Sequence, residues 1–274
     1  MTKRKFSTVP VLMYHHVSPS PDMITITPER FESHLAWLAH AGFTTLDAAG
    51  FAGFLAGEPV PPKSVLLTFD DGYLDNWVYG HPALAKYGMQ AVMFVITGHV
   101  HDGPPRAHAG QGGALPHTPG HRACEAAIEA GRADDVMVRW SEIHAMRHAG
   151  TFDFHSHTHT HTRWDKLCAD PAEKRERLSE DLHRSREALA RNLAVSDHLC
   201  WPQGYFDADY VAEAQAQGFR HLYTTDPCGQ NQPGTDPAHI HRITAKDEPG
   251  AWLRGRLWLA RHRVLGPLYD KVRY

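Results

Sequence analysis

The sequence predicts an α/β fold with largely parallel strands. Two observations carry this expectation. Short apolar, partly β-branched runs alternate with amphipathic helical stretches along the chain. The residues best suited to chemistry follow those runs directly, at the carboxyl ends where parallel strands share one rim. A length of 274 residues is enough to bury one substantial core. A single domain over 1–274 is therefore expected, with 99–138 as a loop-rich insertion and 250–274 as a C-terminal helical extension.

The strand candidates are, in order, Val9 to Tyr14, Ser64 to Phe69, Gln90 to Ile96, Thr151 to Phe154, His198 to Trp201 and His221 to Thr225. A helix separates the first two. Thr27 can cap it, Pro28 suits its first turn, Phe31, Leu35 and Leu38 recur at helical spacing, and Gly42 ends it. Further helices are expected over Asn76 to Tyr87, Ser141 to His148, Pro171 to Leu193 and Ala208 to Gln217. The stretch His101 to His121 is rich in Gly, Pro and His and reads as a surface loop, either a lid or a solvated insertion. Trp252 to Tyr269 mixes Trp, Leu and Arg, and packing as a terminal helix is favoured over resting on a membrane surface.

Composition excludes some classes. A net charge of -3 lacks the basic excess that a nucleic-acid binder needs. The four cysteines, at 124, 168, 200 and 228, form no C-x-x-C pair, which argues against a zinc ribbon or a thioredoxin-like motif. No run reaches 18 apolar residues, so no transmembrane segment is expected. The opening MTKRKFSTVPVLMYHHV is unlike a signal peptide because its apolar run is short and ends in two histidines. A cytoplasmic protein is expected, with 252–269 as the one stretch suited to peripheral contact with the inner membrane face.

The 22 histidines raise the question of which ones matter. VLLTFDDGY places Asp70 and Asp71 directly after a strand, with Gly72 allowing a sharp turn. Two adjacent carboxylates facing one empty cavity repel each other. A cation removes that conflict, so that one can ligate while the other faces a reacting water. FDFHSHTHTHTRW places histidines at 155, 157, 159 and 161. On a strand all four share a face; on a helical turn His157 pairs with His161, or His155 with His159. His15 and His16, the Asp pair, the histidine cluster, Trp201 to Gly204 and Asp226 all follow strand candidates, so they converge on one rim.

TFDDGYLDN, SHTHTH, CWPQGY and LYTTDPCGQN followed by IHRI resemble, in order, the motifs of polysaccharide deacetylases, the NodB-homology or carbohydrate esterase family 4 group. The resemblance implies a deformed (β/α) barrel that hydrolyses N-acetyl groups, in most members from amino sugars. Aligned on the family's S-H-T-x-x-H pattern, it selects His157 and His161 as metal ligands with Asp71, and it gives Asp70 the base position. Cys200 stands where many members carry an Arg that orients the base, and the family's late catalytic His has no counterpart beyond His241 or Arg242. PVLMYHHV is similar to the poly-N-acetylglucosamine deacetylase subgroup, and by that match His15 is the general acid, with His16 as the alternative.

The same resemblance implies an oxyanion donor at the backbone N–H near Gln203. It places Trp201 and Tyr205 by the substrate groove, although core packing explains Trp201 equally well. Asp226 is expected to orient a cation, with Arg242 as the candidate. The cofactor implied is a divalent metal; zinc suits the ligand set best, and nickel, cobalt or iron also accept it. The expected partner is an amino-sugar glycan or glycolipid. The runner-up is a deacetylase or deformylase of a lipid-linked sugar or small amide. A non-catalytic carbohydrate- or metal-binding protein is the alternative of another class.

Overall fold

The computed structural model describes residues 8–262, 264–266 and 268. Its first half contains β1 (Val11–Tyr14), β2 (His16–Val17), β3 (Thr25–Ile26), α1 (Pro28–His40), β4 (Thr44–Thr45), α2 (Ala48–Leu55), β5 (Ser64–Phe69), α3 (His81–Tyr87), β6 (Ala91–Val95) and α4 (His121–Glu129). There follow α5 (Trp140–His148), β7 (Phe152–Ser156), α6 (Trp164–Leu167), α7 (Pro171–Asn192), β8 (His198–Cys200), α8 (Ala208–Ala216), β9 (His221–Tyr223), β10 (Ile243–Thr244) and α9 (Gly250–Arg261).

The main sheet is parallel and ordered β10-β1-β5-β6-β7-β8-β9, with β4 added beside β5. Parallel strands covered on both faces read as continuous apolar runs, and all six residues of β5 are buried. The two ends of the sheet approach each other through one short segment. Ile240 bridges Tyr223 of β9, and the two residues directly after Arg242, Ile243 and Thr244, pair with Leu12 and Met13 of β1. This seam curls the sheet into a deformed barrel.

Strand alternation sorts the side chains into two layers. Leu12, Leu67, Phe69, Met93 and Val95 face outward against Phe31, Leu35 and Leu38 of α1 and Leu253 and Leu257 of α9. Val11, Leu66, Val92, Phe94, Cys200, Tyr223 and Ile240 pack together on the inner side.

Within the loop-rich region 99–138, Gly120 and Gly131 bracket a helix that the sequence expectation did not name, α4, whose Cys124 and Ala127 are buried. Two further expectations are corrected. The expectation missed α2 because AAGFAGFL hides its period among glycines, while Asp47 caps it through Gly50 N–H at 2.7 Å. Strand β7 runs on to Ser156, and β8 stops at Cys200. The C-terminal helix packs as expected, with Trp252 stacked on His34 of α1 at 6.0 Å. Residues 1–7, 263, 267 and 269–274, which include parts of the opening and of the helical extension, lie outside the described residues. Among the described residues, no helix is long and apolar enough to cross a membrane.

Candidate active site

The site is assembled at the carboxyl ends of the strands. Asp70 extends the pairing of β5 with β1 by one residue, donating its N–H to Tyr14 O at 3.0 Å. The chain then enters the left-handed region at Asp71 (φ 72°) and Gly72 (φ 86°). A Cβ on Gly72 would sit 3.0 Å from Val95 Cγ1, so this turn needs glycine for both space and conformation. The turn sends the two carboxylates to different partners.

Asp71 Oδ1 lies 3.2 Å from His157 Nε2 and 3.5 Å from His161 Nε2. The i, i+4 spacing of the two histidines is met by a loop rather than by the helical turn considered from sequence. Thr158 (φ 64°) and His161 (φ 60°) are both left-handed, and Thr158 Oγ1 accepts the His161 N–H at 3.0 Å. His157 Nδ1 donates to Cys200 O at 2.8 Å, which fixes the tautomer and leaves Nε2 facing Asp71. Burial pushes His161 down to about 4, against the pull of Asp71, so its imidazole is neutral and its lone pair available. One carboxylate and two imidazoles with ligand atoms within 4.8 Å of one another fit a divalent metal such as zinc. The neighbouring histidines point elsewhere: His155 bonds Ser196 Oγ and Asp153 Oδ2, and His159 bonds Thr97 Oγ1.

Asp70 is buried against a different set. Arg242, wholly buried, donates from Nη1 and Nη2 to Oδ1 and Oδ2 at 2.7 and 2.8 Å. Burial alone would raise the Asp70 pKa; the guanidinium outweighs it and holds the carboxyl below its ordinary value. Cys200 lies in the same cluster, its Sγ 3.0 Å from Arg242 Nη2 and 3.6 Å from Asp70 Oδ2. His15 Nε2 stands 3.7 Å from Asp70 Oδ2. Burial lowers the His15 pKa although Asp70 and Asp71 oppose it, so its resting imidazole is neutral. His16 turns away from the cleft, bonding Asp75 Oδ2 at 2.5 Å and stacking on Tyr73.

The model of the polysaccharide deacetylase family matches residues 57–222, from before β5 into β9. The chain belongs to the polysaccharide deacetylase family. A putative polysaccharide deacetylase of Bacillus subtilis, YxkH, is 41% identical over 101 residues, which are 35% of this chain and 36% of that protein. The chain thus spans about a third of YxkH. Poly-beta-1,6-N-acetyl-D-glucosamine N-deacetylase of Staphylococcus aureus is 24% identical over 229 residues, 82% of this chain and 69% of that one. Among solved structures, IcaB from Ammonifex degensii superposes with a TM-score of 0.71 at 24% identity, covering 93% of this chain and 98% of that chain. The Streptococcus pyogenes deacetylase PplD gives a TM-score of 0.71 at 19% identity, covering 94% and 99%. These superpositions show a shared fold.

In this deacetylase-family chain the two carboxylates open into a cleft of about 420 Å³. Of the five described non-glycine residues with positive φ, Ile24, Asp71, His161 and Gln203 line it, a concentration of strain typical of functional sites. Trp201 is among the residues that line the cleft and is at the same time wholly buried, packed against Phe206 and Tyr210. Two other residues named from sequence are placed differently. Tyr205 does not line the cleft, because its ring stacks 3.9 Å under the Arg163 guanidinium. The Asp226 carboxylate does not orient Arg242. It bonds His239 Nε2 at 3.0 Å and Cys228 N–H at 2.8 Å, and only its backbone carbonyl accepts the Arg242 N–H.

Gln203 lies on the cleft rim in a left-handed conformation, followed by Gly204, where a Cβ would collide with Thr225 Oγ1 at 2.0 Å. The sequence reading missed one wall: His121, Glu125, Ile128 and Glu129 of α4 line the cleft. Their signal was the helical recurrence of Cys124, Ala127 and Ile128 between two glycines. It also missed His99, which faces the cleft with a buried Nδ1 that has no hydrogen-bond partner.

Proposed function

We propose that this chain hydrolyses N-acetyl groups of an amino-sugar glycan and releases acetate. The observation that carries the reading is the pairing of an ionised, Arg-held carboxylate, Asp70, with a separate Asp–His–His donor set in one cleft. Membership of the family supports the reaction type. The name of the S. aureus relative supports the sugar class.

Asp71, His157 and His161 would hold the metal. When bound it supplies a polarised acyl oxygen and a water of lowered pKa, and zinc matches this donor set best. Asp70 would take a proton from the attacking water, since Arg242 keeps it ionised while leaving lone pairs free on both oxygens. Its Oδ2 stands 3.7 Å from His15 Nε2, so a small approach of the imidazole would let the proton pass to it and from there to the departing amine. An amine expelled without that proton is a poor leaving group. The α4 wall and Gln203 bound the space left for the sugar.

The test is acetate release from N-acetylglucosamine oligomers of β-1,6 and β-1,4 linkage, with a lipid-linked N-acetyl sugar as comparison. Asp70→Asn is expected to lower kcat by about 10²-fold or more with metal content unchanged, whereas Asp71→Ala loses both. Full activity of Asp70→Asn removes the base assignment. Release from the lipid-linked sugar alone moves the reading to a glycolipid substrate.

A further inference from the structure

The inner side of the barrel is layered, and its layer farthest from the cleft is unusual. Cys200, Tyr223 and His157 point inward, so by strand alternation the residues two positions earlier, His198, His221 and His155, also point inward toward the amino end. Parallel pairing sets His198 directly opposite His221, and their rings stack at 4.4 Å. His155 lies against His198 with ring centroids 4.7 Å apart. Three imidazoles therefore occupy a position that parallel barrels usually fill with branched aliphatic side chains.

Two of these imidazoles share a carboxylate. Asp197 Oδ1 lies 3.5 Å from His198 Nε2, and Oδ2 lies 3.4 Å from His221 Nδ1. His221 Nδ1 is buried and makes no directed hydrogen bond. The other groups are already engaged: His155 is held between Ser196 Oγ at 2.7 Å and Asp153 Oδ2 at 2.9 Å, and His198 Nδ1 pairs with the Tyr223 hydroxyl at 3.0 Å. Where Nδ1–H donates in that pair, the Nε2 lone pair of His198 is left for a metal held beside Asp197. Burial, reinforced by His155 and His221, holds His198 well below 6.5 and so in the neutral form that a metal requires.

We propose that Asp197, His198 and His221 bind a second divalent metal, zinc by ligand type, at the amino end of the barrel and away from the catalytic rim. Their ligand atoms lie within 4.8 Å of one another. Tetrahedral zinc asks for about 3.3 Å between ligand atoms, given bonds of about 2.0 Å. Asp197 Oδ1 and Oδ2 already stand near that distance from the two imidazoles, and the Asp197 side chain, 43% exposed, leaves a path for the ion and a water as fourth ligand. The ion would replace the loose 3.4 Å contact of His221 Nδ1 with Asp197 by a direct bond and tie β8 to β9. This is a structural role that needs no part of the deacetylase chemistry.

The experiment is a metal count on protein stripped with chelator, reloaded with zinc chloride and desalted. Wild type is expected to hold two zinc ions per chain. Asp71→Ala should hold one, His221→Gln one, and the double variant none, while His221→Gln keeps acetate release within twofold of wild type. Asp197→Asn, at an exposed position, should repeat the His221→Gln count and guards against misfolding of that variant. A wild-type count of one with that ion lost in Asp71→Ala overturns the proposal. So does a second ion that survives in both His221→Gln and Asp197→Asn. Because the count in Asp71→Ala is independent of acetate release, failure of the deacetylase reading and failure of this one give different results.

Discussion

A buried carboxylate proposed as a base must stay ionised against its own desolvation, and at Asp70 the counter-charge arrives from Arg242, 172 residues later in the chain. Arg242→Met removes that charge and leaves burial to act alone. The folded-state pKa of Asp70, now lowered, becomes raised. In wild type Asp70 contributes stability above its unfolded pKa, and this is lost as pH falls through the folded value; in the variant the sign reverses, and stability is lost as pH rises. The acid limb of kcat/KM should accordingly move to higher pH, and unfolding near pH 8 should be easier by about 3–5 kcal/mol, the usual cost of an uncompensated buried charge. An unmoved acid limb in the pH–rate profile would dissociate Arg242 from Asp70. The Asp pair and the histidine run were legible because their residues adjoin in sequence. The partner of Arg242 was not, since contact across the barrel seam leaves no local pattern, and the carboxylate expected for it, Asp226, is taken up by His239 and by its own turn.

At the scale of elements, the cleft wall depends on how the 99–138 region is fastened. Glu142, fully buried at the start of α5, accepts from Arg106 Nε and Nη2 at 2.8 and 2.7 Å and from the N–H groups of Arg106 and Arg139, both at 2.9 Å. Arg106 also reaches Asp134 O and Met137 O, so one side chain joins the loop before α4 to the turn after it. Arg106→Ala strands the Glu142 charge and should cost about 3–5 kcal/mol in urea unfolding. It should also raise KM for long oligomers more than it lowers kcat, because α4 bounds the cleft without touching the carboxylates. A loss below 1 kcal/mol would mean that the backbone donors alone hold Glu142. The long strands and α1 were readable from period and caps, whereas α2 and α4 were obscured by composition: glycine and alanine in one, a flanking Gly/Pro/His loop in the other.

For the whole molecule, the decisive feature is how thinly the barrel is closed. Six strands supply the parallel sheet that the sequence announced, but the return from β9 to β1 rests on a single bridge at Ile240 and a two-residue strand, too short to show as a periodic run. Ile240 N–H and C=O bond Leu222 O at 3.0 Å and Thr224 N–H at 3.1 Å, and its side chain is wholly buried in the inner layer. Arg242 follows two residues later, so the strap that closes the barrel also aims the guanidinium at Asp70. Ile240→Ala opens a cavity at that seam and should destabilise the fold by about 2–5 kcal/mol, as for other buried Ile truncations. If closure positions the base, kcat should fall several-fold at a temperature well below the new Tm, with metal content unchanged, while the more conservative Ile240→Val keeps both within twofold. Equal loss of stability with full kcat would show that Arg242 finds Asp70 without the strap, and that the seam serves stability alone.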